Sequence, residues 1–356
     1  MNMAYKILYV EDQNAETIKA DLLNFGFEVD VNNADNFENV IDQFVNQYDA
    51  FLLDYRLTDN MGRFDAPSYA QTLRTKTKKI VHKDAPIILI SNEVNFVEIF
   101  KDFTSKDLFD FTITKESFRQ DLTKYVEKIN AYINAYNEIS RVRFNLKRII
   151  SVDQDTIINT KLDYRFVEII SNDKFNGNVH KWCSMIADSL LSCIGPLIGE
   201  DILSSRLGVS KSSKDWNKLL EKLDQFKYQG ILSEYYKRWW MEDILNWWME
   251  ITGGKSLRRL TALERVTFLK EYLSLDLTPC TPLEFCNSSN FWSICMETKK
   301  PIDPSEGYVI LRKDLKPWQE PEYISLYAAL HQTELRKYLS PINKAEIRKF
   351  ERDGTF

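Results

Sequence analysis

Three short apolar runs in the first part of the chain each end on a side chain with chemistry to offer. That repetition limits the available folds more than any other feature. Residues 4–10 run directly into Glu11 and Asp12, residues 50–53 end in Asp54, and residues 86–90 end in Ser91. Residues 108–113 repeat the design more loosely and reach Lys115 after Thr114. The stretches between them are amphipathic. Asn14 is placed to cap a helix that carries Ile18, Leu22 and Leu23 on one face and stops at Gly26. Residues 27–31 read as a strand, residues 36–47 as a helix presenting Phe37, Val40, Ile41 and Phe44, and residues 65–82 as a lysine-rich third helix. Short apolar strands alternating with amphipathic helices imply a parallel sheet covered on both faces. The expected fold class is therefore α/β: a (βα)5 doubly wound parallel sheet, followed by a mainly helical α+β C-terminal domain.

Strand order gives the polar residues their meaning. In doubly wound sheets, ligands bind beyond the carboxyl ends of the strands, where the order reverses. An order of 2-1-3-4-5 gathers Glu11, Asp12, Asp54, Ser91 and Lys115 into one pocket. Carboxylates crowded together repel one another unless a cation neutralises them. Mg2+ suits such a cluster because it takes a few carboxylates, a carbonyl and waters, and keeps positions for phosphate oxygens. A carboxylate so placed can attack phosphorus in line, with Lys115 and the Ser91 hydroxyl holding the phosphoryl oxygens.

These residues resemble the response-regulator receiver (CheY-like) family. The resemblance rests on Tyr9-Val10-Glu11-Asp12, Phe51-Leu52-Leu53-Asp54, Ile88-Leu89-Ile90-Ser91-Asn92 and Lys115, and covers about a third of the chain. It implies that Asp54 is the phosphoacceptor and that Glu11 and Asp12 hold Mg2+ together with Asp54. It also implies that Arg56 lends its backbone carbonyl to the metal and that Ser91 and Lys115 assist the transfer. The implied donor is a histidine kinase or phosphotransfer protein, with an effector protein as a further partner. The chain departs from the family pattern in three places: Glu116 follows the lysine where proline is usual, Thr112 stands at the switch-aromatic position with Phe111 beside it, and the stretch from Asp54 to Ser91 is longer than usual. Divergent receivers fused to unrecognised domains resemble parts of bacterial antiphage systems, where such a protein serves as a phosphoryl intermediate or sink. The competing reading is a pseudo-receiver scaffold that works without phosphorylation.

The rest of the chain has a different character. All eight tryptophans and all five cysteines fall after residue 180, and only Pro67 and Pro86 of ten prolines come before it. The expected division is a receiver domain over 1–120, a helical connector over 121–150 and a mainly helical domain over 151–356. The connector, read as one helix over 116–149, suits a signalling rod, a dimer seam or packing on the second domain. Strands are expected at 156–159 and 165–170, a buried helix at 180–193, a β-hairpin over 292–311 and two amphipathic helices over 321–350. Trp239, Trp240, Trp247 and Trp248 are expected on one helix as a single apolar cluster.

Residues 201–223 resemble a helix-turn-helix with Lys211, Lys214 and Lys218 available to phosphates, but an ordinary helical hairpin explains them more simply. The net charge of −5 likewise argues against nucleic acid as the main partner. Cys280, Cys286 and Cys295, with His331, are too widely spaced for a zinc knuckle and read as free cysteines. With only His82, His180 and His331 in the chain, and no phosphate loop, no separate catalytic centre is expected. A 44% hydrophobic composition, no apolar run of about 18 residues and no signal-like start suit a cytoplasmic protein.

Overall fold

In the computed structural model, the described residues are 4–11, 15–32, 47–55, 57, 66–79, 83–92, 107–152, 160–172, 177–331 and 334–353. Asp12, Asn14, Arg56, the helix at 36–47 and the strand at 156–159 lie wholly or largely outside them. The chain divides into two compact units: Met1–Ile149 with Asn172–Met185, and Ile150–Ser171 with Ile186–Phe356.

The first unit is built on five parallel strands: β1 (Lys6–Val10), β2 (Glu28–Asn32), β3 (Ala50–Asp54), β4 (Ile87–Ser91) and β5 (Phe111–Thr114), in the order β2-β1-β3-β4-β5. Every ladder is parallel, with Tyr9 opposite Val31 and Leu52, Asp54 opposite Ile90, and Ser91 opposite Thr114. The described helices of this unit include α1 (Glu16–Asn24), α2 (Ala66–Lys79), α3 (Lys115–Gln120) and α4 (Leu122–Arg141). Side chains alternate across the pleat. Leu8, Val10, Phe51, Leu53, Ile87 and Leu89 form one apolar face with Tyr69, Ala70 and Leu73 of α2. The alternate residues, among them Tyr9, Leu52, Ile88 and Ile90, are equally buried on the other face.

The helix expected over 116–149 is interrupted twice. Asp121 leaves helical geometry at φ −131° between α3 and α4, and Arg143 and Phe144 take positive φ after α4 ends. Packing accounts for the second break: Phe144 turns its ring onto Trp182, with centroids 5.8 Å apart. Within the first unit α4 buries Val126, Ile129, Tyr132, Ile133, Tyr136 and Ile139, and Tyr5 donates its hydroxyl to Asn134.

A buried ionic network closes this unit at the amino ends of β4 and β5. Arg74 of α2 reaches Asp84 at 3.0 Å and Asp110 at 2.8 Å. Asp110 also accepts from the Ile87 amide and the Tyr136 hydroxyl, and His180 stands 3.2 Å from it. Burial pushes the Asp110 carboxyl up, but the charges of His180 and Arg74 outweigh it and bring it from the ordinary 3.8 down to about 2. A depressed carboxylate stabilises the fold above its unfolded pKa and loses that contribution as pH falls through the folded value.

The second unit is a helical core with three two-stranded sheets. Its helices include Glu200–Leu207, Trp216–Lys222, Met241–Thr252 and Ala262–Leu273, the last opened by a reciprocal Thr261–Glu264 cap. Ile202, Leu207, Trp216, Leu219, Trp239, Trp248, Val266 and Leu269 share one core. Arg265, fully buried, donates to the carbonyls of Ser205, Arg206, Leu257 and Phe291. Gly208 closes the helix Glu200–Leu207 at φ +69°, where an added Cβ would lie 2.7 Å from the Ala262 Cα.

Several sequence expectations for this unit need correction. Residues 164–170 are helical, because the Asp163 carboxylate caps the Arg165 amide at 2.9 Å. Trp239–Trp240 is a strand pairing with Leu197–Ile198, so the four tryptophans do not share a helix. Trp240 packs edge-on against Tyr228 instead. The hairpin expected over 292–311 is split between two pairings. Ser293–Ile294 joins Pro301–Ile302, and Tyr308–Ile310 joins Glu322–Ile324. The turn Pro304–Glu306, capped by Asp303 onto the Ser305 amide, leads the chain away after the first pair. Glu322–Ile324 therefore takes a strand from the region expected to hold only helices; Leu326–His331 and Pro341–Asp353 are helical.

Two outcomes follow from this packing. Between pH 4 and pH 2, acid denaturation of the wild type should show a loss of roughly 2 kcal/mol that Asp110→Asn lacks. Gly208→Ala should lower stability by about 1–2 kcal/mol for the left-handed backbone alone, read from chemical denaturation, and by more if Ala262 cannot yield.

Candidate functional site

The carboxyl ends of the parallel strands place four of the six candidate residues. Glu11 follows β1, and its amide still donates to the Asn32 carbonyl at 3.0 Å, which carries the pairing one residue past the strand. Asp54 is the last residue of β3, Ser91 the last of β4, and Lys115 the first of α3. Thr114 fixes that last junction: extended at φ −84° and ψ 147°, it accepts the Ser117 amide on its side chain and so caps α3. All four side chains are buried. Asp12 and Arg56 lie outside the described residues.

The centre of the cluster is one ammonium shared by two acids. Lys115 Nζ lies 2.5 Å from Glu11 Oε2 and 3.0 Å from Asp54 Oδ1. Burial alone would push the lysine down, but its bonds to Glu11 and then Asp54 hold it above its usual value, firmly charged. Glu11 Oε2 has a second donor, to which the sequence motifs assign no role: the Tyr9 hydroxyl at 2.6 Å. Burial, and after it the bond to Glu11, push the Tyr9 hydroxyl far above the phenol range, so it serves as a donor. Its signal in the sequence is the spacing of two from Glu11, which puts both on one face of an extended chain.

The donors present fit a small, hard divalent cation. Two buried carboxylates converge on one point, and both offer oxygen, the donor Mg2+ prefers. Among the described residues no group of three or more His, Cys, Asp or Glu is gathered for a metal.

The switch region differs from a rotating surface aromatic. Thr112 is exposed, whereas Phe111 is buried against Tyr132 of α4 with centroids 5.0 Å apart. In the second unit, Lys211 is paired with Asp201, and Lys218 with Asp215 at 2.9 Å. Trp216 and Leu219 of the second helix there point into the core. Cys280, Cys286 and Cys295 are free thiols; Cys295 accepts from the Ser325 amide and hydroxyl, and the Cys280 sulfur lies 3.9 Å from the Ser204 hydroxyl.

No protein-family model matches this chain, and no curated protein does. Several of the solved structures similar to it are receiver domains, matching its N-terminal part. One is a CheY-like receiver domain from Methylobacillus flagellatus, 22% identical, covering 32% of this chain and 86% of that one, with a TM-score of 0.25. A receiver domain protein from Clostridium thermocellum is 19% identical, over 36% of this chain and 94% of that one, with a TM-score of 0.29. A response regulator protein from Thermotoga maritima, solved with Mg2+-BeF, is 26% identical, over 35% of this chain and 98% of that one, with a TM-score of 0.28. The class of the first unit follows from this chain's own strand order and registers: it is a receiver fold.

Removing the shared cation should expose its structural weight. Lys115→Met leaves two buried carboxylates facing each other and should cost about 3–5 kcal/mol in urea denaturation at neutral pH without divalent cation.

Proposed function

We propose that this chain is a response-regulator-like signalling protein whose first unit accepts a phosphoryl group on Asp54 from a partner histidine kinase or phosphotransfer protein. One observation carries the reading: a buried aspartate at the end of the central strand β3 shares an ammonium with a second acid from the neighbouring strand's end. Structural salt bridges seldom spend two buried carboxylates on one lysine, because desolvating each ion costs several kcal/mol. A site that must hold a doubly charged cation and a phosphoryl group has reason to keep that arrangement.

The roles then follow from position. An Asp54 carboxylate oxygen attacks phosphorus as the phosphohistidine N–P bond breaks and the imidazole departs. Lys115 leaves its carboxylate partners to pair with the incoming phosphoryl oxygens, and the Ser91 hydroxyl donates to another. Glu11 and Asp54, with Asp12 and the Arg56 carbonyl assigned by resemblance, would hold Mg2+, which would offset the negative charge gathered at the transfer. With Phe111 packed inward and Thr112 outside, the charge change is not read by an aromatic rotating at β5. We assign residues 1–120 to the phosphoacceptor domain, 121–150 to a connector and 151–356 to the second domain. By resemblance, the protein acts in the cytoplasm as an intermediate or sink in an antiphage relay. The described residues contain no helix long and apolar enough to cross a membrane.

The test is direct labelling. Incubated with a small phosphodonor such as acetyl phosphate and Mg2+, the wild type should gain one acid-stable, base-labile phosphoryl group. Asp54→Asn should gain none, and chelating the cation should suppress labelling of the wild type. Equal labelling of the two proteins, or none in either, would return the chain to the scaffold reading.

A further inference from the structure

Tyr9 is a costly residue for its position. It sits fully buried in the middle of the parallel sheet, opposite Val31 on one side and Leu52 on the other, where an apolar side chain would serve. A tyrosine buried there must find a partner for its hydroxyl. Two residues span about 7 Å of extended chain, close to the reach of a tyrosine ring with its oxygen. Its hydroxyl thereby meets the acid that follows β1, Glu11 Oε2, at 2.6 Å. The same oxygen receives Lys115 at 2.5 Å. The last torsion of a glutamate is soft and nearly two-fold, so a glutamate at a loop start would otherwise sample many orientations. Two donors on one oxygen remove that freedom.

We propose that Tyr9 is a positioning residue of the acidic cluster, whose hydroxyl holds the Glu11 carboxylate in the orientation that receives a divalent cation. The inference rests on the reading of Glu11 as a cation ligand. Lys115 alone cannot do this work, since it must move to the phosphoryl group during transfer. Tyr9 has no such second task, and its hydrogen bond persists when the lysine leaves. Outer groups that orient metal ligands commonly contribute 10–100-fold in affinity.

The experiment is calorimetric titration of the full chain with MgCl2, without phosphodonor. Wild type is compared with Tyr9→Phe, Tyr9→Met and Glu11→Gln, and melting temperatures are measured in parallel without cation. Both Tyr9 variants should bind Mg2+ at least about ten-fold more weakly than wild type. A residue that served packing alone would shift the melting temperature and leave the affinity unchanged. Wild-type affinity in both Tyr9 variants, or weakening in only one of them, overturns the proposal, because the lost hydroxyl is common to both. Should wild type bind no Mg2+, or Glu11→Gln bind as wild type does, Glu11 is not a cation ligand and the proposal falls with that reading.

Discussion

One buried ammonium between two carboxylates sets the terms for the receiver unit. Glu11 and Asp54 arrive at the ends of adjacent parallel strands, and neither carboxylate could stay ionised and desolvated beside the other without a cation. Lys115 supplies that cation from the start of α3, directly after β5, which lies two strands away from β3. The cluster thus ties three strands at their carboxyl ends. The same geometry makes it a place where charge can be exchanged: a divalent ion and a phosphoryl group can replace the contacts that the lysine makes. The electrostatic cost of the cluster and its chemical capacity are one fact.

The opposite ends of the strands are secured by other means. Arg74, Asp84, Asp110, Tyr136 and His180 form a closed network in which Asp110 alone meets an arginine, a tyrosine hydroxyl, an imidazole and a backbone amide. Its members come from α2, the loops before β4 and β5, α4 and residues 172–185, so segments distant in sequence are held to one edge of the sheet. The second unit is organised differently, around aromatic packing and a buried arginine that serves four carbonyls, and its lysines at 211 and 218 answer local acids rather than forming a basic field.

The receiver unit was legible because its information is local and periodic. Wholly apolar runs of strand length, each followed by a polar residue, mark the parallel sheet and put Glu11, Asp54, Ser91 and Lys115 at its strand ends. Two features escaped. Tyr9 reads as one more apolar position, and only its ring length and the pleat bring its hydroxyl to Glu11. His180 reads as an isolated histidine in a helix, and its partners come from 44 to 96 residues earlier in the chain. In the second unit, residues 165–170 read as a strand, where a single capping aspartate decides for helix. The strand Tyr308–Ile310 was given the wrong partner, because antiparallel pairing leaves no mark in either strand beyond its own pattern.

By itself, then, the sequence determined the class of the first unit and the residue types at its strand ends, since alternation and strand-end chemistry are written residue by residue. Tertiary structure alone decided which donors share a carboxylate oxygen, where the long helix after β5 breaks, and which short strands of the second unit pair. Those outcomes depend on distances between segments remote in the chain, and they are settled by packing and by the cost of burying charge.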